Sequence, residues 1–246
     1  MKKIVFNFFI IIFLFVCFAV QSNAQNPVAE QTALKIANRI LKSTTYTFQN
    51  KKTGEVYTSL KDVPLTQDMV VQSVYNQWHY TNGVTNIAMM ELAEKLSKKE
   101  YEDFVLKNMN FVFNEDNLDY FRKLYEQAKE KSGWMGVRNV SWHMIFRGKR
   151  LDDNGPMGAS LIEIQKKYPN DAFLAYINET ADHLNYAEPR LKDGTIARIW
   201  PHVNTIWADD AFMAVSFLAR MGSFTGDNKY FTDAAKQILN YTKYLW

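Results

Sequence analysis

The sequence predicts an all-α chain of helical hairpins arranged as a toroid or solenoid. Three observations carry this expectation. Apolar residues recur at helical spacing in one segment after another. No segment shows a sustained alternating strand pattern. And the helix openings near Gly83, Pro156 and Ala211 share one plan: a polar and aromatic loop, an apolar helix, then a return helix. In a toroid the loops before successive inner helices gather at one end. Asp153 and Asp209, about one hairpin and its loop apart, would then face one shared cavity.

The first segment stands outside the fold. Lys2-Lys3, an apolar run from Ile4 to Val20 and the small residues Ser22-Asn23-Ala24 read as a secretory signal peptide over residues 1–24, with an uncleaved membrane anchor as the alternative. Cys17 is the only cysteine and leaves with that segment, so residues 25–246 hold neither disulfide nor thiol. The expected location is a bacterial periplasm or the exterior, without stable membrane insertion after cleavage. A composition 47% hydrophobic and 15% aromatic supplies a large core and argues against disorder. A formal charge of +3, lower still without Lys2 and Lys3, makes no case for nucleic acid.

The elements follow in order. Pro27 to Ser43 carries an apolar stripe through Ala33, Ile36, Ala37 and Ile40 and predicts a helix. Thr44 to Leu65 reads as a loop with a turn at Lys52-Thr53-Gly54, and Met69 to Gln77 as a helix or its approach. A helix is expected from Val84 to about Leu96, with Ser97 and Glu100 as a capping box for the next. Asn117 to Lys131 is a further helix, and Ser132 to Arg150 a loop rich in Gly, Arg and Trp. Pro156, suited to a first helical position, opens a helix to Lys167. Asp171 to Leu184 returns, and Asn185 to His202 is a loop. The terminal hairpin has its first helix ended by Gly222 and its second capped by Asp227.

The chemistry candidates sit at helix mouths. Asp209 and Asp153 each stand at a loop-to-helix junction, where aspartate also serves simply as a cap. One division of labour at Trp207-Ala208-Asp209-Asp210 has Asp210 capping while Asp209 points into the cavity. Paired carboxylates are the usual tools for splitting a glycosidic bond. Trp78, Trp142, Trp200 and Trp207 all fall in loops, where aromatic faces could stack on sugar rings or join the core. The four histidines lack metal-ligand spacing; His183 reads as structural, and His202 lies close enough to Asp209 in sequence to bind sugar hydroxyls. The sequence has no nucleotide-binding loop, serine elbow or Cys/His metal set.

Several segments together resemble the unsaturated glucuronyl and rhamnogalacturonyl hydrolases, glycoside hydrolase families 88 and 105. They are Trp207 to Met213, Phe217 to Gly222, Thr225 to Tyr230, Leu151 to Gly158, and the Trp-x-Tyr-x-x-Gly pattern of Trp78, Tyr80 and Gly83. The resemblance implies catalytic roles for Asp209 and for Asp153, five residues before Gly158. It implies Arg198, His202, Trp207 and Asn82 as substrate-binding residues, and neither metal nor cofactor. The family often has histidine eleven residues before the catalytic aspartate. That position here is Arg198, which could meet a carboxylate. The implied fold is an (α/α)6 toroid, expected to be incomplete at the C-terminus because the chain stops at Trp246 within a family-like hairpin. The implied reaction removes a 4,5-unsaturated uronic acid from the non-reducing end of lyase-generated oligosaccharides, pectin- or rhamnogalacturonan-derived ones foremost. The alternatives are an ordinary inverting glycosidase, a non-catalytic carbohydrate-binding protein, and an inactive truncated relative.

Overall fold

The computed structural model describes residues 27–148 and 150–245, so the expected signal segment lies outside the described residues. The chain divides into two compact units between Lys42 and Ser43. The first contains helix α1 (Pro27–Ser43) up to Lys42, with the bounds its apolar stripe predicts. Glu30 in its first turn and Lys42 in its last complement the helix dipole.

The second unit opens with an antiparallel sheet that periodicity did not reveal. Strands β1 (Phe48–Asn50), β2 (Val56–Tyr57) and β3 (Met69–Val71) pair in the order β2-β1-β3, with Phe48 opposite both Tyr57 and Val71. Strands of two or three residues are too short to display alternation. The pairing is driven by Phe48, fully buried with its ring stacked 4.7 Å from Phe111 and edge-on to Trp142. The turn at Lys52-Thr53-Gly54 forms as expected: Asn50 Oδ1 accepts from the amides of Lys52 and Thr53, and Gly54 takes φ +80. The helix anticipated over Met69 to Gln77 is instead β3 and a single 3-10 turn.

Helical hairpins follow. Helix α2 (Tyr80–Leu96) returns as α3 (Lys99–Val112). Helices α4 (Glu115–Val137) and α5 (His143–Arg147) then bridge to α6 (Leu151–Lys167), which returns as α7 (Asp171–Asp182) and a π-helical turn at His183–Ala187. Helix α8 (Ala208–Thr225) returns as α9 (Asn228–Leu245). Helices α2, α6 and α8 pack side by side in a row, each with its return helix packed against it. This is the inner and outer layering of a helical toroid. The inner helices approach closely because glycines face one another's backbones. A Cβ on Gly83 would sit 2.3 Å from the Pro156 carbonyl carbon, and one on Gly155 would sit 2.4 Å from the Met213 oxygen. Helix α6, flanked on both sides, buries most of its residues.

Several boundaries differ from expectation for local reasons. Ser97 does not cap α3; it ends α2 in the left-handed conformation, its amide bonding back to Ala93. Helix α4 is capped by Asn114 and continues across a kink at Gly133, so much of the expected Gly- and Arg-rich loop is helical. Helix α6 starts at Leu151 rather than Pro156, and the proline is accommodated in its second turn.

Candidate active site

The N-termini of α6 and α8 lie together because α6 and α8 pack along their lengths. With α5 and the loop over 188–207 they enclose a cavity of about 480 Å³. Its walls include Arg147, Arg150, Asp152, Arg198, Trp200 and Asp210.

The loop is held on α9. Arg190 forms a bidentate pair with Asp233 at 2.7 and 2.9 Å, Gln237 Oε1 accepts from the Ile196 amide, and Tyr241 donates to the Ile196 carbonyl. Isolated bridges join Arg190 to Ile196 and Arg198 to Thr205. This framework brings Arg198 over the start of α8.

Arg198 is the hub. Its Nε and Nη2 donate to the two Asp210 oxygens at 2.7 and 2.6 Å. Its Nη2 and Nη1 reach the two Asp152 oxygens at 3.1 and 3.5 Å. Asp209 Oδ2 stands 4.0 Å from Nη2, and the Trp207 ring lies 4.1 Å beneath the guanidinium. Burial opposes the charge on Arg198, but Asp210 and Asp152 outweigh it and hold its pKa above the ordinary value. Burial pushes the Asp210 carboxyl up. Its bond to Arg198 pulls the other way, neighbouring Asp209 and Asp152 add to the rise, and the net direction is upward.

The two aspartates at the start of α8 are therefore placed differently from the expected division of labour. Asp210 does not cap the helix. It is fully buried, bonds Arg198 and contributes to the cavity wall, whereas the Asp209 side chain is 54% exposed. Asp153 is fully buried behind the cavity, held by the Nε of Arg147 at 2.6 Å and by its Nη2. The shared cavity thus forms, but Asp152 and Asp210 line it where Asp153 and Asp209 were expected.

The other candidates separate. Trp207 and Arg198 meet as described. His202 is exposed on the loop, and its carbonyl accepts from Thr205. Asn82 lies elsewhere, in a second cavity of about 280 Å³ with Trp78, His79, Trp142 and His143, and its Nδ2 is committed to the carbonyls of Val74 and Gln77. Burial keeps His79 and His143 below the usual imidazole range, against the pull of nearby carboxylates. Trp78 and Trp142 are core residues. Trp78 donates to the Asp153 carbonyl and so ties the mouth of α2 to that of α6. His183 is structural in the sense expected, bonding Glu188 at 2.6 Å. Among the described residues no group of three or more His, Cys, Asp or Glu converges as metal ligands would.

Arg147, Arg150 and Asp152 carry no mark in the sequence, whereas Trp200 stands among the four loop tryptophans and Asp210 reads as a cap. Asp152 and Asp210 are the other members of the two Asp-Asp pairs. The arginines stood in the Gly-, Arg- and Trp-rich segment without a spacing to mark them.

The sequence profile of Glycosyl Hydrolase Family 88 matches residues 30–246. The fold is similar to two crystal structures, each described as a possible member of GH105 family. One, from Salmonella enterica subsp. enterica serovar Paratyphi A str. ATCC 9150, is 14% identical with a TM-score of 0.52, over 87% of this chain and 48% of that one. The other, from Klebsiella pneumoniae subsp. pneumoniae MGH 78578, is 14% identical with a TM-score of 0.53, over 90% of this chain and 49% of that one. This chain spans about half the length of each. No curated protein matches it.

Proposed function

Because the chain belongs to glycosyl hydrolase family 88, we propose that it removes a 4,5-unsaturated uronic acid from the non-reducing end of oligosaccharides left by polysaccharide lyases, pectin- or rhamnogalacturonan-derived ones foremost. The observation that carries the reading is the cluster around Arg198 at the mouths of α6 and α8: Asp152, Asp210 and Trp200 on the cavity wall, Asp209 4.0 Å from the guanidinium and Trp207 against its face. Such a site offers a proton, cationic partners for a sugar carboxylate and aromatic faces for a ring.

In this reading Asp209 is the proton donor, since it is the most exposed carboxyl of the three around Arg198. Its proton forms a C–H bond at C4 as the C4=C5 π bond breaks, and positive charge develops at C5 and the ring oxygen. Water adds to C5 and returns a proton to Asp209. The resulting hemiketal opens, and the hemiacetal left at C1 releases the aglycone, with one water consumed overall. Asp153, ionised against Arg147, acts by holding that arginine at the cavity wall. Arg198, Trp207 and His202 are the binding residues on the loop side, and Asn82 shapes the neighbouring pocket.

A second reading moves the proton to Asp210, favoured by the upward push of burial on that group. Loss of the conjugated double-bond absorbance of an unsaturated pectin disaccharide tests both. Wild type should bleach it, and Asp209→Asn should slow bleaching by about a hundredfold or more with the fold intact. Retained turnover in Asp209→Asn with loss in Asp210→Asn would transfer the role to Asp210. Binding without bleaching by wild type would leave a carbohydrate-binding protein.

A further inference from the structure

Arg198 presents two separate forks. The side fork, Nε and Nη2, grips Asp210 at 2.6 and 2.7 Å, and Asp210 is fully buried. The end fork, Nη1 and Nη2, faces Asp152 at 3.5 and 3.1 Å, and the Asp152 side chain is 22% exposed on the cavity wall. The two forks differ in consequence. Asp210 and the Trp207 face fix the guanidinium whatever the end fork does. The end fork is a planar pair of donors spaced for one carboxylate, with a longer and partly solvated bond to its present occupant. The cavity wall sets Arg147, Arg150 and Arg198 against Asp152, Glu188 and Asp210, so a second carboxylate is best accommodated in exchange for one already there.

We propose that Asp152 is a placeholder. It occupies the end fork of Arg198 and is displaced by the carboxylate of an incoming uronic acid. Asp152 then sets the specificity of the site, because a sugar without a carboxylate has nothing to exchange for the Arg198–Asp152 pair. The inference rests on the proposed function only for the identity of the sugar; the exchange requires a carboxylate on a ring, saturated or not.

Calorimetric titration of the whole chain with sodium glucuronate, and with glucose as the neutral control, tests this. Asp152→Asn keeps the shape and removes the competing charge, so glucuronate should bind roughly three- to fivefold more tightly than to wild type, with glucose unchanged. Arg198→Lys keeps the charge and loses the fork, and should weaken glucuronate alone; thermal melts of both variants establish that they fold. Glucuronate binding to Asp152→Asn that is equal or weaker overturns the placeholder. So does equal tightening for glucose, or no binding of glucuronate to either protein at about 10 mM. The unsaturated disaccharide separates the two ideas. Exchange without bleaching by wild type would sink the hydrolase reading alone, and bleaching with no effect of Asp152→Asn would sink the placeholder alone.

Discussion

At Arg147 and Asp153 a buried carboxylate meets a nearly buried guanidinium, their side chains 0% and 9% exposed. The low dielectric makes such a pair costly to break even where it is not costly to replace. Arg147→Ala should therefore destabilise the chain by about 3–5 kcal/mol in urea melts, and Asp153→Asn, which keeps the shape and removes the charge, by clearly less. Only the structure shows Asp153 buried against Arg147. In the sequence it is one of two adjacent aspartates at a helix start, and nothing local says which faces inward. The same ambiguity surrounds Asp209 and Asp210. Adjacent residues on a helix point about 100° apart, so the two members of a pair cannot face the cavity alike. Which one turns depends on the rotation of α6 and α8 about their axes, and packing sets that rotation.

Among the elements, two junctions decide the geometry of the site. The first is the crossing of α6 and α8 at Gly155. A methyl group there meets the Met213 carbonyl at 2.4 Å, which backbone must yield to accommodate. Gly155→Ala should cost about 1–3 kcal/mol of stability and lower activity as well, since Asp152 and Asp210 lie beside the crossing. A melt unchanged from wild type would place the helices farther apart than described. The second junction ties the 188–207 loop to α9 through Arg190 and Asp233. Burial alone would raise the Asp233 carboxyl, but hydrogen bonds from Arg190 and Gln237 hold it below the ordinary range. A depressed carboxylate contributes stability above its unfolded pKa and loses it as pH falls through the folded value. Acid denaturation of wild type should thus include a slope below about pH 4 that Asp233→Asn flattens. The helices themselves were legible, because a long apolar stripe needs no tertiary information. The short sheet was not, because its strands exist through Phe48 packing against Phe111 and Trp142.

For the whole molecule, a formal charge of +3 on 246 residues gives little long-range field, and in the cavity wall Arg147, Arg150 and Arg198 are matched by Asp152, Glu188 and Asp210. Attraction for an anionic sugar is then local. Raising salt from about 0.05 to about 0.5 M should raise KM for the unsaturated disaccharide only a few-fold and leave kcat unchanged. A hundredfold rise would instead mean that distant charges steer the substrate. The sequence by itself determined the helical class, the hairpin order and the family, because these depend on residue periodicity and on short motifs that act within a turn or two of chain. The three-dimensional arrangement alone decided which acid of each pair enters the cavity, that Arg198 joins them, and that Asn82 belongs to a different pocket. Those facts depend on helices rotated and packed against one another across large separations in the chain, where neighbouring residues of identical type become distinguishable only by what surrounds them.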